Sequence, residues 1–542
     1  MAAIPIDEEK NPGIDHDEGY GGIAANQKVL NENGRQATIA EHDLTFAQAV
    51  KAYPRAIFWS VLVSTCIIME GYDVVLVGSM FGQPAFRKKY GNFYPALNEY
   101  QLSGPWMVAL GNSGNVGAIL GCFLNGYFVQ KFGYRKVLLA SLFGVAAFVF
   151  IVFVAQNLPT LLTGEILLGL PWGVFASMAP AYASEVCPVA LRGYLTVYVN
   201  LCWAFGQLIA AGINEGFQPM TTQWAYRIPF AIQWVWPIPL AAILFFAPES
   251  PWWLVHKERF EEAELTVRRL SSKSMTSDDA KKSIAMMIHT HQIEMEAETG
   301  TSYWDCFKGT DLRRTEIVMM VFGAQNWSGL ALGGNPTYFF EQAGVPTSDS
   351  FKFSVGALGL ACVGTFLSWF LLAWMGRRTI LVWGLFLLFF LMLLVGILSA
   401  ALDSVGSSYA QAGLILLWLF LYYTTLGPVT YAIISETSAI KLRNKSVCLA
   451  RIGYYLVGLV VGTIQPYMLN PTEGNWKGKT CLFWAGTCFL AWLWSYFRAP
   501  ETGGRTYEEL DLLFANKVSA RKFSTTVVDA YADGEGSRVK RE

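Results

Sequence analysis

Apolar runs of about one bilayer's length recur twelve times along the 542-residue chain, and they restrict the possible folds more than any other feature. They lie near residues 57–80, 105–128, 137–155, 159–180, 195–215, 227–247, 317–340, 354–375, 379–400, 409–432, 447–468 and 480–498. An α-helix of about 20 apolar residues covers a hydrocarbon core of ~30 Å. Hydrophobic residues make up 53% of the chain and charged residues only 15%, which suits a polytopic membrane protein and not a soluble one. We therefore predict an all-α integral membrane protein with twelve transmembrane helices.

Twelve crossings would place both ends of the chain on the same side of the membrane. Lys and Arg in the short loops are slightly more frequent on that side, so we expect both termini to be cytoplasmic. Residues 1–55 are polar and acidic without a signal peptide, and we predict that they form a disordered tail. Six helices at 56–247 and six at 316–499 should flank a charged loop at 248–315 with short amphipathic helices, and a second tail should follow at 500–542.

Several classes of function do not fit this composition. The net charge of −1 and the lack of a long basic tract argue against nucleic acid as a partner. The nine cysteines lie mostly inside apolar runs and show no CxxC spacing, so we expect neither disulfides nor a metal site. No nucleophile with a base and no phosphate-binding loop is recognisable, so we expect no enzymatic activity and no cofactor. We expect a monomer that contacts the lipid bilayer.

Three carboxylates lie within the apolar runs. Glu70 and Asp73 are three residues apart on one face of the first run, and Glu165 lies at a similar predicted depth in the fourth. An acid at the centre of a membrane helix costs roughly 2.5 to 3.5 kcal/mol on insertion scales. Glu70 and Asp73 could instead cap a helix or pair with a neighbouring one, but the third acid favours a shared cavity that handles ions or protons.

A sequence repeat relates the two sets of six helices. Three charged residues recur in each half with the same spacing to within one residue. They are Glu185, Arg192 and Glu249 in the first half and Glu436, Arg443 and Glu501 in the second. The sequence around them also agrees, because residues 132–136 match residues 375–378 and residues 247–250 match residues 499–502. Two parallel halves of this kind surround a central site that is exposed to each face of the membrane in turn.

These motifs carry a family resemblance. The segments concerned are Gly71-Tyr72-Asp73 and residues 126–136, 180–193, 248–254, 427–443 and 500–506. Over roughly residues 57–510 the chain resembles the sugar porter branch of the major facilitator superfamily, and within it the fungal maltose and α-glucoside proton symporters. The resemblance implies a sugar substrate and a proton-coupling role for the helix-one aspartate, which is Asp73 here.

The chain departs from the family pattern in its loop motifs. Gln130 and Tyr134 stand where the first motif has an acid and an arginine, and Ala373 and Trp374 stand where the second has its acid and base. The cytoplasmic gate should therefore depend on the remaining charges. We predict that these are Arg135, Glu185, Arg192, Glu249, Arg378, Glu436, Arg443 and Glu501.

Another departure concerns the acids in the membrane. Glu165 occupies the position of a family arginine that pairs with the helix-one aspartate. Without a nearby cation, desolvation and like charge favour protonated carboxyl groups, so Asp73, Glu70 and Glu165 should hold at least one proton at neutral pH and couple proton movement to transport. Arg451 lies ~8 Å along its predicted helix in the other half. It could snorkel to the membrane surface or have a function.

Sugar recognition requires amides for the hydroxyl groups and aromatic rings for the C–H faces. The predicted sugar-binding residues are Gln207, Gln325, Asn326, Asn335, Tyr431 and Tyr455. The first three match amides of the family's binding site, and the two tyrosines stand where the family has indoles. A buried amide could also bond a neighbouring helix instead of a sugar. Residues 333–336, Gly-Gly-Asn-Pro, should break helix seven and serve as an outer gate.

The leading hypothesis is a plasma-membrane proton symporter that imports a disaccharide, with maltose or another α-glucoside as first choice. One alternative is a sugar sensor that keeps the fold but signals through its tails. Another is a permease for a hexose or for a β-linked disaccharide such as lactose or cellobiose. The tails are modest in length and the acids are retained, which favours transport over sensing.

Overall fold

The computed structural model describes residues 27–94, 99–272, 275–296, 302–334, 336–402, 404–439, 442–469, 474–528 and 539–540. Within these ranges most of the chain is α-helical, as predicted. Eleven helical stretches of the described chain are long and apolar enough to cross a membrane. They coincide with eleven of the twelve predicted runs, and the seventh run is the exception.

The first half contains six spans. Its helices are α1 (Gln27–Asp43), α2 (Phe46–Ala52), α3 (Pro54–Ser64), α4 (Ile67–Met80), α5 (Pro84–Tyr90), α6 (Gly104–Phe132), α7 (Tyr134–Val154), α8 (Leu158–Val186), α9 (Val189–Phe217), α10 (Trp224–Ile232) and α11 (Pro237–Leu244). Together α3 and α4 form the first span, and α10 and α11 form the sixth around a 3₁₀ turn at Gln233–Val235. A short antiparallel hairpin of β1 (Asn92–Tyr94) and β2 (Glu99–Gln101) lies between α5 and α6, with Asn92 opposite Gln101.

Between the halves lies a group of helices that is shared with the tails. It consists of α12 (Pro251–His256), α13 (Phe260–Leu270) and α14 (Ser277–Glu296), followed by a 3₁₀ helix at Tyr303–Phe307. A hydrophobic cluster separate from the main core joins Ala37 of α1, Trp252 and Ile284 of this group, and Tyr507 of the second tail. We call the end of the bundle that carries this cluster the tail end, and the opposite end the far end.

The first tail differs from the prediction. Residues 27–52 form α1 and α2 instead of a disordered segment, and α1 packs against α14. Ala37 of α1 is buried in the separate hydrophobic cluster and Ala49 of α2 in the main core. The polar average composition of this segment conceals these small apolar residues. Residues 1–26 lie outside the described residues.

The second half contains five such spans and the seventh run. Its helices are α15 (Gly309–Trp327), α16 (Leu330–Gly334), α17 (Pro336–Gln342), α18 (Thr347–Trp374), α19 (Arg377–Ala401), α20 (Val405–Thr424), α21 (Leu426–Thr437), α22 (Arg443–Leu469) and α23 (Thr480–Arg498), with α24 (Tyr507–Ala515) in the second tail. Single 3₁₀ turns lie at Lys477–Lys479 and Ala520–Lys522, and two-residue strands β3 (Val527–Val528) and β4 (Val539–Lys540) pair in an antiparallel manner.

The seventh run is broken into α15, α16 and α17. The first break follows Trp327, where Gly329 has a φ of +100° that side chains other than glycine rarely adopt. The predicted break at residues 333–336 coincides with the end of α16 and the start of α17. The two halves meet where α6 packs against α22 and where α9 packs against α18. A central cavity lies between these contacts.

Candidate functional site

A cavity of about 200 Å³ separates the two halves. Its walls come from α4, α6, α8 and α9 of the first half and from α15, α16, α17 and α22 of the second. On α22 the lining residues run from Tyr454 to Leu469, which is the part of that helix nearest the far end. All three predicted membrane acids, Glu70, Asp73 and Glu165, line this cavity.

Glu70 is held by residues of the opposite half. Its Oε1 atom accepts a hydrogen bond of 2.9 Å from the Tyr455 hydroxyl and lies 3.4 Å from Nη2 of Arg451. The expectation that no cation lies near the acids is therefore wrong for Glu70. Arg451 is only 1% exposed, so it does not snorkel, and a buried guanidinium requires a nearby negative charge. The pair connects α4 to α22 across the interface between the halves.

Aromatic rings surround the Arg451 guanidinium on its other sides. Its central carbon lies 5.0 to 5.6 Å from the ring centroids of Phe322, Tyr431, Tyr454 and Tyr455. The electron-rich faces of such rings attract a cation, and the attraction grows when water is excluded. These contacts support a positive charge at this depth.

Asp73 and Glu165 form a second group with different chemistry. Asp73 accepts hydrogen bonds from Nε2 of Gln233 (2.8 Å) and from Nε1 of Trp172 (3.0 Å), both of which are neutral donors. Glu165 lines the same cavity and is only 1% exposed, and its Oε1 atom has no hydrogen-bond partner in the described structure. Burial and a neighbouring acid both favour the protonated form of a carboxyl group. No cation of the described chain lies within ion-pair distance of Asp73 or Glu165.

Sequence reasoning missed the two donors that hold Asp73. Trp172 follows Glu165 by two helical turns on α8, and Gln233 lies in the 3₁₀ turn inside the sixth span. A glutamine inside an apolar run was a usable signal, because buried amides in membrane helices need partners.

The predicted sugar-binding residues divide into two groups. Asn326 and Tyr455 line the cavity, and Asn326 donates a 2.8 Å hydrogen bond from Nδ2 to the Tyr454 carbonyl. Tyr431 packs against Arg451 and is not among the lining residues. Asn335 lies outside the described residues.

Gln207 and Gln325 are turned toward tyrosines of α20. Oε1 of Gln207 accepts from the Tyr423 hydroxyl (2.7 Å), and Oε1 of Gln325 accepts from the Tyr422 hydroxyl (2.8 Å). Neither glutamine lines the cavity. Both glutamines therefore bond a neighbouring helix, as the alternative prediction for buried amides proposed. Their role in sugar binding stays a prediction.

At the tail end, Glu249 and Glu501 cap equivalent helices. Glu249 accepts from the backbone N–H groups of Tyr134 (2.7 Å) and Arg135 (3.3 Å) at the start of α7. Glu501 accepts from the same groups of Arg377 (2.8 Å) and Arg378 (3.1 Å) at the start of α19. A carboxylate is favoured there because the first N–H groups of a helix lack partners. Burial raises the pKa of Glu249, and its hydrogen bonds from the backbone partly offset the effect.

Glu436 pairs with an arginine that the predicted gate did not include. Its partner is Arg377, at 3.3 Å, whereas the guanidinium of Arg378 donates to the carbonyl oxygens of Tyr496 (2.7 Å) and Ala499 (3.0 Å). Arg378 is on the side of α19 that faces α23. Its guanidinium therefore bonds the end of α23 and does not reach Glu436.

Contacts between the halves close the tail end. Nη1 of Arg443 lies 3.9 Å from Glu185. The ring of Tyr507 is stacked between the guanidinium groups of Arg192 and Arg443, each 3.8 Å from its centroid. Nζ of Lys445 donates to Oε1 of Gln130 (2.8 Å). Tyr507 and Lys445 had no role in the predicted gate, and no local motif marks them.

Comparison with known proteins agrees with this architecture. The sequence model of the family described as "Sugar (and other) transporter" matches residues 59–514. The chain is 38% identical over 524 residues to the general alpha-glucoside permease of Saccharomyces cerevisiae, an alignment that covers 94% of this chain and 84% of the relative. It is also 38% identical over 515 residues to maltose permease MAL31 of the same organism, with the same coverage.

Among solved structures, the major facilitator superfamily proton:xylose symporter XylE bound to 6-bromo-6-deoxy-D-glucose has the same fold. The TM-score is 0.71 at 21% sequence identity, and the match covers 84% of this chain and 99% of the other. The predicted fold class is therefore confirmed.

Proposed function

Because the chain belongs to the family of sugar (and other) transporters, we propose that it is a proton-coupled symporter that imports a disaccharide across the plasma membrane. It is a membrane permease and not an enzyme. The substrate we propose is maltose or another α-glucoside, the class named for its relatives in yeast. The observation that carries the proposal is a pair of buried carboxyl groups, Asp73 and Glu165, without a cation partner in the described chain. They line one cavity with Glu70, which is paired with Arg451.

The carboxyl pair is the proposed proton site. With one shared proton, Asp73 and Glu165 carry one negative charge, and Arg451 neutralises only Glu70. A second proton makes the whole site neutral. When the neutral site opens to the opposite face of the membrane, it can release that proton and become charged again. Each elementary charge that crosses a membrane potential of 100 mV is worth about 2.3 kcal/mol, so the potential can drive this cycle.

Glu70 is the proposed link between the sugar and the two halves. Its Oε2 atom has no hydrogen-bond partner in the described structure, while Oε1 is held by Tyr455 and Arg451. A sugar hydroxyl that donates to Oε2 would compete for the charge that holds α4 to α22. Substrate binding would then weaken one contact between the halves, which is the kind of differential interaction that alternating access requires.

In this proposal the far end faces the outside and the tail end faces the cytoplasm. The cavity extends toward the far end, and the contacts of Glu185, Arg443 and Tyr507 close the tail end. Sugar and proton would thus enter from outside, and the tail-end contacts must separate before release.

The test is sugar uptake by cells that lack their own sugar transporters and produce either the wild-type protein or a variant of the proton site. Labelled maltose should accumulate, raise the external pH, and stop accumulating when a protonophore collapses the gradient. Asp73→Asn should reduce the ratio of internal to external sugar to unity but still exchange sugar across the membrane, because an amide mimics the protonated acid. Glu165→Gln should retain part of the accumulation and shift its pH dependence, because it removes a like charge.

Two matched measurements separate the possible outcomes. Counterflow of labelled sugar without a gradient distinguishes an uncoupled carrier from an inactive protein. Equal uptake of maltose with and without the proton gradient in the wild type would contradict coupling. Accumulation by Asp73→Asn but not by Glu165→Gln would reverse the assigned roles. Glucose, lactose and cellobiose tested alongside maltose would identify a different substrate class.

A further inference from the structure

Three carboxamides line the part of the cavity beyond the acids. Asn112 and Asn115 lie three residues apart on one face of α6, and Gln465 lies on α22. On α22, Gln465 comes ten residues after Tyr455, the residue that bonds Glu70, so it lies ~15 Å nearer the far end. We call these three residues the far amides. The predicted sugar-binding residues do not include them.

Two of the far amides are anchored by one atom and leave the other without a partner. Oε1 of Gln465 accepts a 2.7 Å hydrogen bond from the Trp484 indole N–H, which can only donate, so the amide must present its oxygen to Trp484. Nε2 of Gln465 then has no partner in the described structure. At 7% exposure the side chain is almost fully buried, and an unpaired donor at such a position is costly.

Asn112 has the complementary arrangement. Its Nδ2 atom donates to Oγ1 of Thr463 (3.2 Å), and the hydroxyl of Thr463 donates in turn to the Leu459 carbonyl (2.8 Å). Thr463 therefore acts as an acceptor toward Asn112, which fixes the orientation of the amide. Oδ1 of Asn112 has no partner in the described part of the chain, and the side chain is 8% exposed. One anchored amide thus offers an acceptor and the other a donor.

Asn115 makes no hydrogen bond within the described chain and is partly exposed to the cavity. Glycines of α22 leave room opposite these side chains. A Cβ at Gly458 would lie 3.4 Å from Nδ2 of Asn115, and a Cβ at Gly462 would lie only 2.4 Å from Oδ1 of Asn112. Any larger residue at Gly462 would displace the amide. The helix interface is therefore shaped around amides whose hydrogen-bonding capacity the described chain uses only in part.

Aromatic surface lies in the same cavity. Trp203 and Tyr338 both line it, and Nε1 of Trp203 has no partner among the described residues. A pyranose ring needs paired donors and acceptors for its hydroxyl groups and an aromatic face for its C–H groups. The far amides carry no charge, so a neutral, hydroxyl-rich ligand suits them.

We propose that Asn112, Asn115 and Gln465 form a second sugar subsite, which binds the outer ring of a disaccharide while its inner ring lies beside Glu70, Asn326 and Tyr455. The inference rests on the proposed function, because only a substrate with two rings would occupy both positions. A monosaccharide would occupy the inner position alone. The far amides would then determine the preference for disaccharides over hexoses.

The test compares the dissociation constants of maltose and glucose for the purified full-length protein in lipid nanodiscs. Asn115→Ala should raise the Kd for maltose about tenfold, the effect of one lost hydrogen bond in a buried site, and change the Kd for glucose by less than about twofold. Gln465→Met, which keeps the length of the side chain, should act in the same direction. Gln156→Ala removes an exposed amide at the far end and is the matched control, with no effect on either sugar.

Two results would overturn the subsite: an unchanged Kd for maltose in Asn115→Ala, or an equal loss of affinity for both sugars. Gln465→Met could prevent folding because it removes the hydrogen bond from Trp484. The Asn115→Ala result then decides, because Asn115 makes no hydrogen bond in the described chain. A wild-type protein that binds glucose but no disaccharide would instead refute the proposed substrate, and the subsite with it. The two failures are thus distinguishable from the wild type alone.

Discussion

The two halves close the tail end with the same backbone arrangement but with different side chains. In each half a glutamate that follows the last span caps the helix after the loop motif: Glu249 caps α7 and Glu501 caps α19. In each half a hydroxyl group next to that glutamate also donates to the acid of the gate, Ser250 to Glu185 and Thr502 to Glu436. The duplicated motif is therefore conserved between the halves down to its hydrogen bonds.

The difference lies at one position of the repeat. Arg377 in the second half lies 3.3 Å from Glu436, so that acid has a cation within its own half. Tyr134 occupies the equivalent position in the first half, and its hydroxyl donates a 2.8 Å hydrogen bond to Glu185. A neutral donor satisfies the oxygen atom but leaves the negative charge without a cation in the first half.

The charge of Glu185 is paired instead with Arg443 of the other half, whose Nη1 atom lies 3.9 Å away. The equivalent arginine, Arg192, has no carboxylate within ion-pair distance in the described chain, and its Nε donates to the Ser184 carbonyl. One tyrosine in place of an arginine has thus moved an ion pair from within a half to the interface between the halves. The gate at the tail end is therefore asymmetric although its motifs are repeated.

Loss of Glu185 should open the tail end far more than loss of Glu436, and this is the largest difference that the comparison predicts. Glu185→Gln leaves Arg443 buried without a counter-charge, and breaking a buried ion pair costs about 3–5 kcal/mol. Glu436→Gln affects a pair within one half, whose arginine is 16% exposed. Cys448 is buried on α22 beside Asn125 of the other half, so its labelling by a maleimide reports separation of the halves.

In a protein whose other cysteines are replaced, we expect the labelling rate to rise at least about tenfold in Glu185→Gln and no more than about threefold in Glu436→Gln. Similar rates in the two variants would show that the gate is symmetric after all.

Tyr507 should have the next largest effect. Its ring lies between Arg192 and Arg443, and a cation–π contact is worth about 0.5–1 kcal/mol at an exposed site and about 2 kcal/mol when desolvated. Tyr507→Ala should therefore raise the labelling of Cys448 by about three- to tenfold. Tyr507→Phe is the matched control, because the hydroxyl has no hydrogen-bond partner in the described structure and the ring is kept. If Phe were as disruptive as Ala, the stacking would not be the cause.

The repeat explains how much of this gate could be predicted from the sequence. Matched spacing placed Glu185, Arg192 and their counterparts together, because a duplicated motif leaves a mark in a single chain. Likewise, one bilayer thickness sets the length of a span, so the apolar runs predicted the helices well. The seventh run deviates because Gly329 and Pro336 interrupt it, which hydropathy alone does not register.

Contacts between the halves could not be predicted from the sequence. Arg451 lies eight residues into α22, ~12 Å from its start, and no local pattern indicates that Glu70 of α4 comes within 3.4 Å of it. The amides of Gln207 and Gln325 were of the expected type, but their oxygen atoms accept from tyrosines of α20. A buried amide takes whichever partner the packing brings near, and packing depends on residues distant in sequence.

The smallest effect on labelling is expected at Tyr134 itself, where one substitution should preserve the ion pair between the halves and another should weaken it. Tyr134→Phe removes one hydrogen bond from a neutral hydroxyl to a carboxylate, worth about 1.5–3 kcal/mol, but leaves the charge of Glu185 directed at Arg443. It should lower the thermal stability but keep the labelling rate of Cys448 within about twofold of the wild type, because the ion pair between the halves is retained. Tyr134→Arg should instead give Glu185 a cation in its own half, as Arg377 does for Glu436, and raise the labelling rate by about two- to fivefold. The explanation requires that this gain depend on Arg443, so the effect of Tyr134→Arg should vanish when Arg443→Gln is already present. An effect of the same size in both backgrounds would mean that the new arginine acts by disturbing the start of α7 and not by diverting the charge of Glu185.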